Sequence, residues 1–219
     1  MQFSESQMIF GAVAGMFASV IFMHLTKRNS WTVSLYALQS FLVVLLLSGS
    51  LVKEFSLLLT LTICAMFIVK VIVAPKFFYT LIHRHEVKFS ASSYLNGPMT
   101  LIILAALTGL TRAKYFSPLT TLSPLHADTI LLTVSMMLIS VFLIINKKGA
   151  LSQMIGLLSL EDAIVAFAAV TGLEQTPALQ LGIVFDIGIW ILIATVFVSM
   201  MYHAFGTLDV SEHTRMKED

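Results

Sequence analysis

Seven segments of this chain are apolar over enough consecutive residues to cross a membrane as helices. A spanning helix needs about 20 mostly apolar residues, because each residue advances about 1.5 Å and the hydrocarbon layer is about 30 Å thick. The fourth segment is the shortest. The sequence therefore predicts an all-α fold, a polytopic transmembrane bundle of about seven helices. The segments lie at 6–26, 31–52, 56–82, 94–111, 128–146, 150–171 and 178–204.

The composition agrees with this interpretation. Hydrophobic residues make up 58% of the chain and charged residues only 11%, and the mean hydropathy is +0.91, whereas soluble domains are about one quarter charged. The chain has no basic tract, so nucleic acid is not expected as a partner. Its single cysteine, Cys64, cannot by itself hold a metal or an iron–sulfur cluster. The composition therefore indicates a multi-pass membrane protein without a cofactor of its own.

The basic residues of the loops predict the orientation. With seven helices the loops alternate sides, which places eight Lys and Arg residues on one side and three on the other. Because positive charge concentrates in cytoplasmic loops, the first side is predicted to be cytoplasmic, with the N-terminus outside and the C-terminus inside. The eight are Lys27, Arg28, Arg84, Lys88, Lys147, Lys148, Arg215 and Lys217, and the three are Lys53, Arg112 and Lys114.

Three ionisable residues lie near the middle of predicted membrane helices. They are Lys70 in the third segment, Glu161 in the sixth and Asp186 in the seventh. A charge at the centre of a membrane helix costs about 2.5–3.5 kcal/mol on insertion scales, so such residues face the bundle interior, pair with one another, or take up and release protons. We predict that these three form a proton path. Asp162 is turned about 100° from Glu161 on a helix, so the two acids are not expected to face one partner, and Asp162 is a supporting candidate.

Weaker polar features accompany these three residues. Tyr36 and Gln39 are candidates to extend a polar line through bound water. Pro75 has no N–H and clashes with the carbonyl four residues back, so a helix kink or local opening is expected there. The histidines near predicted cytoplasmic helix ends titrate near neutrality, which makes them candidates to feed protons, or ordinary interfacial residues. These histidines are His24, His83, His85 and His203.

The last three segments resemble a subunit of respiratory complex I. The run NKKGALSQMIGLLSLE, followed by an acidic turn and GIVFDIGIWILI, is similar to the small three-helix K-type subunit, whose second and third helices each carry an embedded glutamate. That pattern has its acid directly after Ile-Gly-Leu, where this chain has Leu158. Here the acid comes three residues later, at Glu161, close to one helical turn away. Asp186 matches the position of the second acid. The resemblance divides the chain into four N-terminal helices, 1–126, and a K-type-like portion with a short cytoplasmic tail, 127–219.

A fuller resemblance covers the whole chain. It is similar to the E component of hydrogenase-4-type formate hydrogenlyase complexes in KVIVAP at 70–75, NGP at 96–98, LLSLED at 157–162, GIVFD at 182–186 and GTLDV at 206–210. The resemblance implies an integral subunit of a complex I-related [NiFe] hydrogenase in a bacterial or archaeal cytoplasmic membrane. Its partners would be antiporter-like membrane subunits and a hydrophilic arm that carries the nickel–iron centre and iron–sulfur clusters. Lys70, Glu161 and Asp186 would then lie on the hydrated axis of the membrane arm.

Two other interpretations remain open. A multi-subunit cation/proton antiporter also contains a subunit that resembles the K-type, although the additional N-terminal helices and the GTLD tail argue against it. A structural anchor would use its buried charges only to hold helices together. The sequence contains no nucleophile elbow, Walker, Rossmann or CxxC motif, so enzymatic turnover by this chain alone is not expected. The transported ion, H⁺ or Na⁺, stays open at this point.

Overall fold

The computed structural model of the protein describes residues 5–53, 57–84 and 93–172, together with eight helical positions between 181 and 199. Nearly all of these residues are helical, which confirms the predicted all-α fold. The α-helices are α1 (Glu5–Leu25), α2 (Asn29–Lys53), α3 (Leu57–Met66), α4 (Ala74–Arg84), α5 (Gly97–Leu110), α6 (Ala127–Asn146) and α7 (Ala150–Thr171). A π-helix, Phe67–Val73, joins α3 to α4, and 3₁₀ helices span Lys114–Leu122 and Pro124–His126.

Five of the described helical runs are long and apolar enough to cross a membrane. They correspond to the first, second, third, fifth and sixth predicted segments, and the third runs through the π-helix without a break. The chain is therefore a polytopic membrane protein by the length and composition of its helices. Most of the seventh predicted segment lies outside the described residues. The five runs are Glu5–Leu25, Asn29–Gly49, Ile63–Thr80, Pro124–Asn146 and Ala150–Thr171.

The fourth predicted segment has a different form. α5 begins at an Asn96 cap, whose side chain accepts a hydrogen bond from the N–H of Met99, and it continues for only 14 residues, about 21 Å. The chain then bends by 62° into the 3₁₀ helix Lys114–Leu122. Together the two helices have the length of one broken span or of a re-entrant loop. The N-out/C-in orientation depends on this segment and stays a prediction.

The first two and last two described spans pack into one core. α6 lies against α7 and α1, and α2 lies against α1 and α7. Buried apolar side chains from all four helices meet there, including Met16, Val43, Met136 and Ala166. Residues of the predicted N-terminal and K-type-like portions thus share the same interior.

Gly156 lies at a close approach of α7 to α6. A Cβ atom placed on Gly156 would lie 3.0 Å from Cγ1 and 3.2 Å from the backbone nitrogen of Ile144. A larger residue here would need the Ile144 side chain and backbone to give way by a few tenths of an ångström, and backbone atoms move aside less easily than the end of a side chain. The contact lets α7, the helix that carries both central acids, pack closely on α6.

One end of the bundle collects basic residues. α1 and α6 finish there and α2 and α7 begin, so the turns 26–28 and 147–149 lie side by side. We call this the lysine end, defined by Lys27, Arg28, Lys147 and Lys148. Of the acidic residues that the structure describes, none belongs to these turns.

Candidate proton-handling site

Lys70 lies in the π-helix Phe67–Val73, and its side chain is completely buried. A π-helix is held by hydrogen bonds between residues five apart, and here the N–H of Ala74 donates to the carbonyl of Val69. Pro75 follows directly and has no N–H, so the carbonyl four residues back loses its usual donor. The segment expected to open ahead of Pro75 therefore forms a π-helix, and this helix carries the central lysine.

The Lys70 ammonium lies between two acids of α7. Its Nζ is 2.7 Å from Oδ1 of Asp162 and 3.2 Å from Oε1 of Glu161. The expectation that these neighbouring acids cannot share a partner is wrong. The lysine side chain is long and flexible and its ammonium has three donors, so it bridges two positions that diverge around the helix. We call these three residues the Lys–acid cluster.

The two acids of the cluster are held differently. Asp162 is completely buried, and its second oxygen, Oδ2, accepts a hydrogen bond of 2.7 Å from the Ser40 hydroxyl. The Glu161 side chain is 18% exposed, and its contact with Lys70 is longer than that of Asp162. Asp162, which the sequence suggested only as a supporting residue, is thus the more tightly bonded acid.

A chain of buried polar groups continues from the cluster toward α6. Gln39, next to Ser40 on α2, donates from Nε2 to the carbonyl oxygen of Ser159 at 3.2 Å. The Ser159 hydroxyl donates to Gln39 Oε1 at 2.9 Å and lies 3.0 Å from the hydroxyl of Ser140. Gln39, predicted as part of a polar line, therefore lies in such a line, which passes through serine hydroxyls.

Tyr36 lies on the same side of α2, one helical turn before Ser40. Its side chain is completely buried, and its ring packs edge-on against Phe78 with centroids 6.4 Å apart. Within the described part of the chain, its hydroxyl has no partner in hydrogen-bonding geometry. A buried hydroxyl without a protein partner is a position that a bound water molecule would satisfy.

Sequence reasoning missed the three serines of the site. Ser40 is four residues after Tyr36 and Ser159 is three residues before Asp162, so these two share a helix face with a candidate residue, whereas Ser140 has no such neighbour on α6. That spacing was the available signal. It is weak, because serines in helices commonly bond their own backbone, as Ser19 does here.

His24 and Lys147 form a second buried polar pair at the lysine end. The His24 ring stacks on Phe142 with centroids 5.0 Å apart, and its Nε2 lies 3.0 Å from the carbonyl oxygen of Ile139. Lys147, one of the predicted loop residues, is buried. Its Nζ donates to the carbonyl oxygens of His24 and Thr26 at 3.2 and 3.0 Å. The ammonium thus caps the C-terminus of α1, where carbonyl groups lack helical partners and a cation is favourable.

Burial lowers the pKa of Lys147 from its ordinary 10.5 to about 8. Between these values the unfolded chain binds more protons than the folded chain, so folding stability is expected to rise with pH across this window. Below about pH 8 the ammonium is charged in both states and the contribution is constant. Thermal unfolding of the purified chain from about pH 7 to about pH 10 measures the slope.

Lys147→Arg tests the assignment of this slope, because a guanidinium stays charged throughout the range. We expect the variant to lose the rise, whatever its absolute stability. Lys148→Arg, in the same turn, is the matched control and keeps it. A rise that survives in Lys147→Arg would show that another group is responsible.

Two predicted proton-path residues, Asp186 and His203, lie outside the described residues, as do His85 and the side chain of His83. Among the residues that are described, no group of three or more His, Cys, Asp or Glu is placed to hold a metal ion. No protein-family model, curated protein or solved structure matches the chain.

Proposed function

We propose that this chain is a membrane subunit of a complex I-related [NiFe] hydrogenase of the formate hydrogenlyase type, in which the Lys–acid cluster takes up and releases protons. The observation that carries the proton role is the burial of Lys70 between two acids at mid-helix. The motifs shared with the hydrogenase-4 E component support the assembly. The nickel–iron centre and iron–sulfur clusters would belong to partner subunits, and the chain would work in a bacterial or archaeal cytoplasmic membrane.

Charge balance within the cluster supports the proton role. With Lys70 as an ammonium, two ionised acids would leave one negative charge without a counter-charge in a buried setting, which is costly. One carboxyl group is therefore expected to hold a proton. Asp162 accepts hydrogen bonds from Lys70 and Ser40 on separate oxygens, which suits the ionised form. Glu161 is then the acid that gains and loses the proton.

A purely structural anchor explains the cluster less well. One lysine and one acid suffice to join α7 to the π-helix. A second ionisable group at this depth adds about 2.5–3.5 kcal/mol of insertion cost, and the Lys70–Asp162 contact already ties the helices together. The second carboxyl group has a role if it gains and loses its proton easily, because a change of charge in a neighbouring subunit can then alter its protonation.

Glu161→Gln tests the proton role. In the assembled complex in its native membrane, we expect gradient formation to fall by about tenfold or more, because the amide cannot carry the proton. Assembly and hydrogenase turnover with an artificial electron acceptor should persist. Asp128→Asn is the matched control, since Asp128 is an exposed acid that pairs with Arg112 at 3.3 Å. Full gradient formation in Glu161→Gln, within an intact complex, would overturn the role.

Affinity purification distinguishes the hydrogenase interpretation from the antiporter interpretation. The tagged chain is extracted gently from its host and its companions are identified by mass spectrometry and metal analysis. Recovery with a nickel–iron large subunit, iron–sulfur proteins and antiporter-like chains is expected. Recovery with antiporter subunits and without redox metals would assign the chain to cation exchange, and recovery alone would contradict both assemblies.

A further inference from the structure

We propose that Ser159, Ser140 and His24 form the route by which protons reach the Lys–acid cluster from the lysine end of the bundle. This proposal rests on the function proposed above. It adds the residues that would connect the completely buried Asp162, and through it the Lys–acid cluster, to water at the lysine end.

The polar residues follow one another in depth. Asp162 lies 12 residues from the start of α7 at Ala150, about 18 Å along the axis, and Ser159 lies about 14 Å along it. On the neighbouring α6, Ser140 precedes the final residue, Asn146, by six positions, or about 9 Å. The depth thus decreases stepwise from the cluster toward the lysine end.

The first steps are direct contacts between buried groups. Ser159 and Ser140 are both fully buried, and their hydroxyl oxygens are 3.0 Å apart. A hydroxyl can accept one hydrogen bond while it donates another, so the pair can pass a proton along. Gln39 bonds both the hydroxyl and the carbonyl of Ser159 and so fixes its position. Asp162 lies one turn further along the same face of α7, a separation that one bound water bridges.

His24 continues the route toward the lysine end. Its Nε2 lies 3.0 Å from the carbonyl oxygen of Ile139, the residue before Ser140. Because a carbonyl only accepts, this nitrogen carries the ring proton and Nδ1 is the acceptor. Nδ1 is buried and has no protein partner within the described residues, so it is a site for a water molecule. The carbonyl oxygen of His24 accepts from Lys147, which places the residue directly at the lysine end.

The transfer leaves the route chemically unchanged. A proton from water at the lysine end is taken up at Nδ1 of His24. The Nε2–H then leaves its bond with the Ile139 carbonyl, and its proton passes through a bound water molecule to the Ser140 hydroxyl. Each serine accepts one proton and releases its own, so an O–H bond forms as another breaks. The net result is one proton moved from water to a carboxylate of the cluster, after which the ring and hydroxyls turn back.

Hydrogen–deuterium exchange of the carboxyl group measures access along this route. The full-length chain is placed in lipid bilayers, and infrared spectroscopy follows the C=O band of the protonated acid, assigned by its loss in Glu161→Gln. After a change to D₂O, we expect the band to shift about tenfold or more slowly in Ser159→Ala, Ser140→Ala and His24→Phe than in the parent chain.

Matched controls separate the route from a general effect of losing a buried hydroxyl. Ser152 on α7 donates to Asn29 Oδ1, and the Ser135 hydroxyl on α6 lies 2.6 Å from that of Thr111, so both are hydroxyls that contact residues other than those of the route. Ser152→Ala and Ser135→Ala should exchange at the parent rate. Parent-like exchange in folded Ser159→Ala and Ser140→Ala, with the band present, overturns the route alone. If the parent chain shows no C=O band that disappears in Glu161→Gln, the proposed function and the route are both overturned. If one alanine variant fails to fold, Ser159→Thr and Ser140→Thr take its place, because threonine keeps a hydroxyl. Both should exchange at the parent rate, and the remaining alanine variant should exchange more slowly than either of them.

Discussion

Lys70→Met is expected to destabilise the chain by about 3–5 kcal/mol, because it leaves the completely buried Asp162 without its cation. Methionine nearly matches the lysine in volume, so the loss reports charge rather than packing. Unfolding of the purified full-length chain in detergent measures the change. Lys76→Met is the matched control, since Lys76 is exposed on the same helical run, and it should stay within about 0.5 kcal/mol of the parent chain.

A second substitution identifies the source of that loss. In Lys70→Met/Asp162→Asn, position 162 has a neutral amide in place of the carboxylate that Lys70 balanced, and Glu161 can hold its own proton. We expect the double variant to be more stable than Lys70→Met alone, with a coupling of about 0.5–3 kcal/mol. Additive losses from the two substitutions would mean that the 2.7 Å contact contributes no energy.

Gly156→Ala is expected to destabilise the chain by about 1–3 kcal/mol, as overpacking of a close helix contact does. The new methyl group would meet Cγ1 and the backbone nitrogen of Ile144 at 3.0 and 3.2 Å. The Ile144 side chain and the α6 backbone must then give way by a few tenths of an ångström. Chemical unfolding of the detergent-purified chain gives the loss of stability.

Gly11→Ala supplies the opposite expectation. No atom lies within 4 Å of a Cβ built on Gly11, and alanine is favoured over glycine in a helix by about 0.8–1.0 kcal/mol. This variant should match or exceed the parent chain in stability. Equal stability for Gly156→Ala and Gly11→Ala would show that the approach of α7 to α6 tolerates a methyl group.

Much of the site could be named from the sequence, though not its arrangement. Lys70 and Glu161 were identifiable because a charge at mid-helix in an apolar run is rare and costly. Gln39 followed from the same reasoning. Asp162 was ranked below Glu161, because the angle between neighbouring helix positions takes no account of how far a lysine side chain can reach. The serines were passed over, because their polar groups are usually satisfied within their own helix.

The sequence alone determined that this chain folds as membrane-spanning helices. Long apolar runs must satisfy their backbone hydrogen bonds internally once water is absent, and a helix does so within one segment. Only the tertiary structure decided which groups meet. The π-helix sets the direction of Lys70, the glycine at 156 lets α7 pack closely on α6, and burial turns Lys147 from a turn residue into a helix cap. These outcomes depend on how helices rotate and approach one another, which hydropathy along a single segment does not specify.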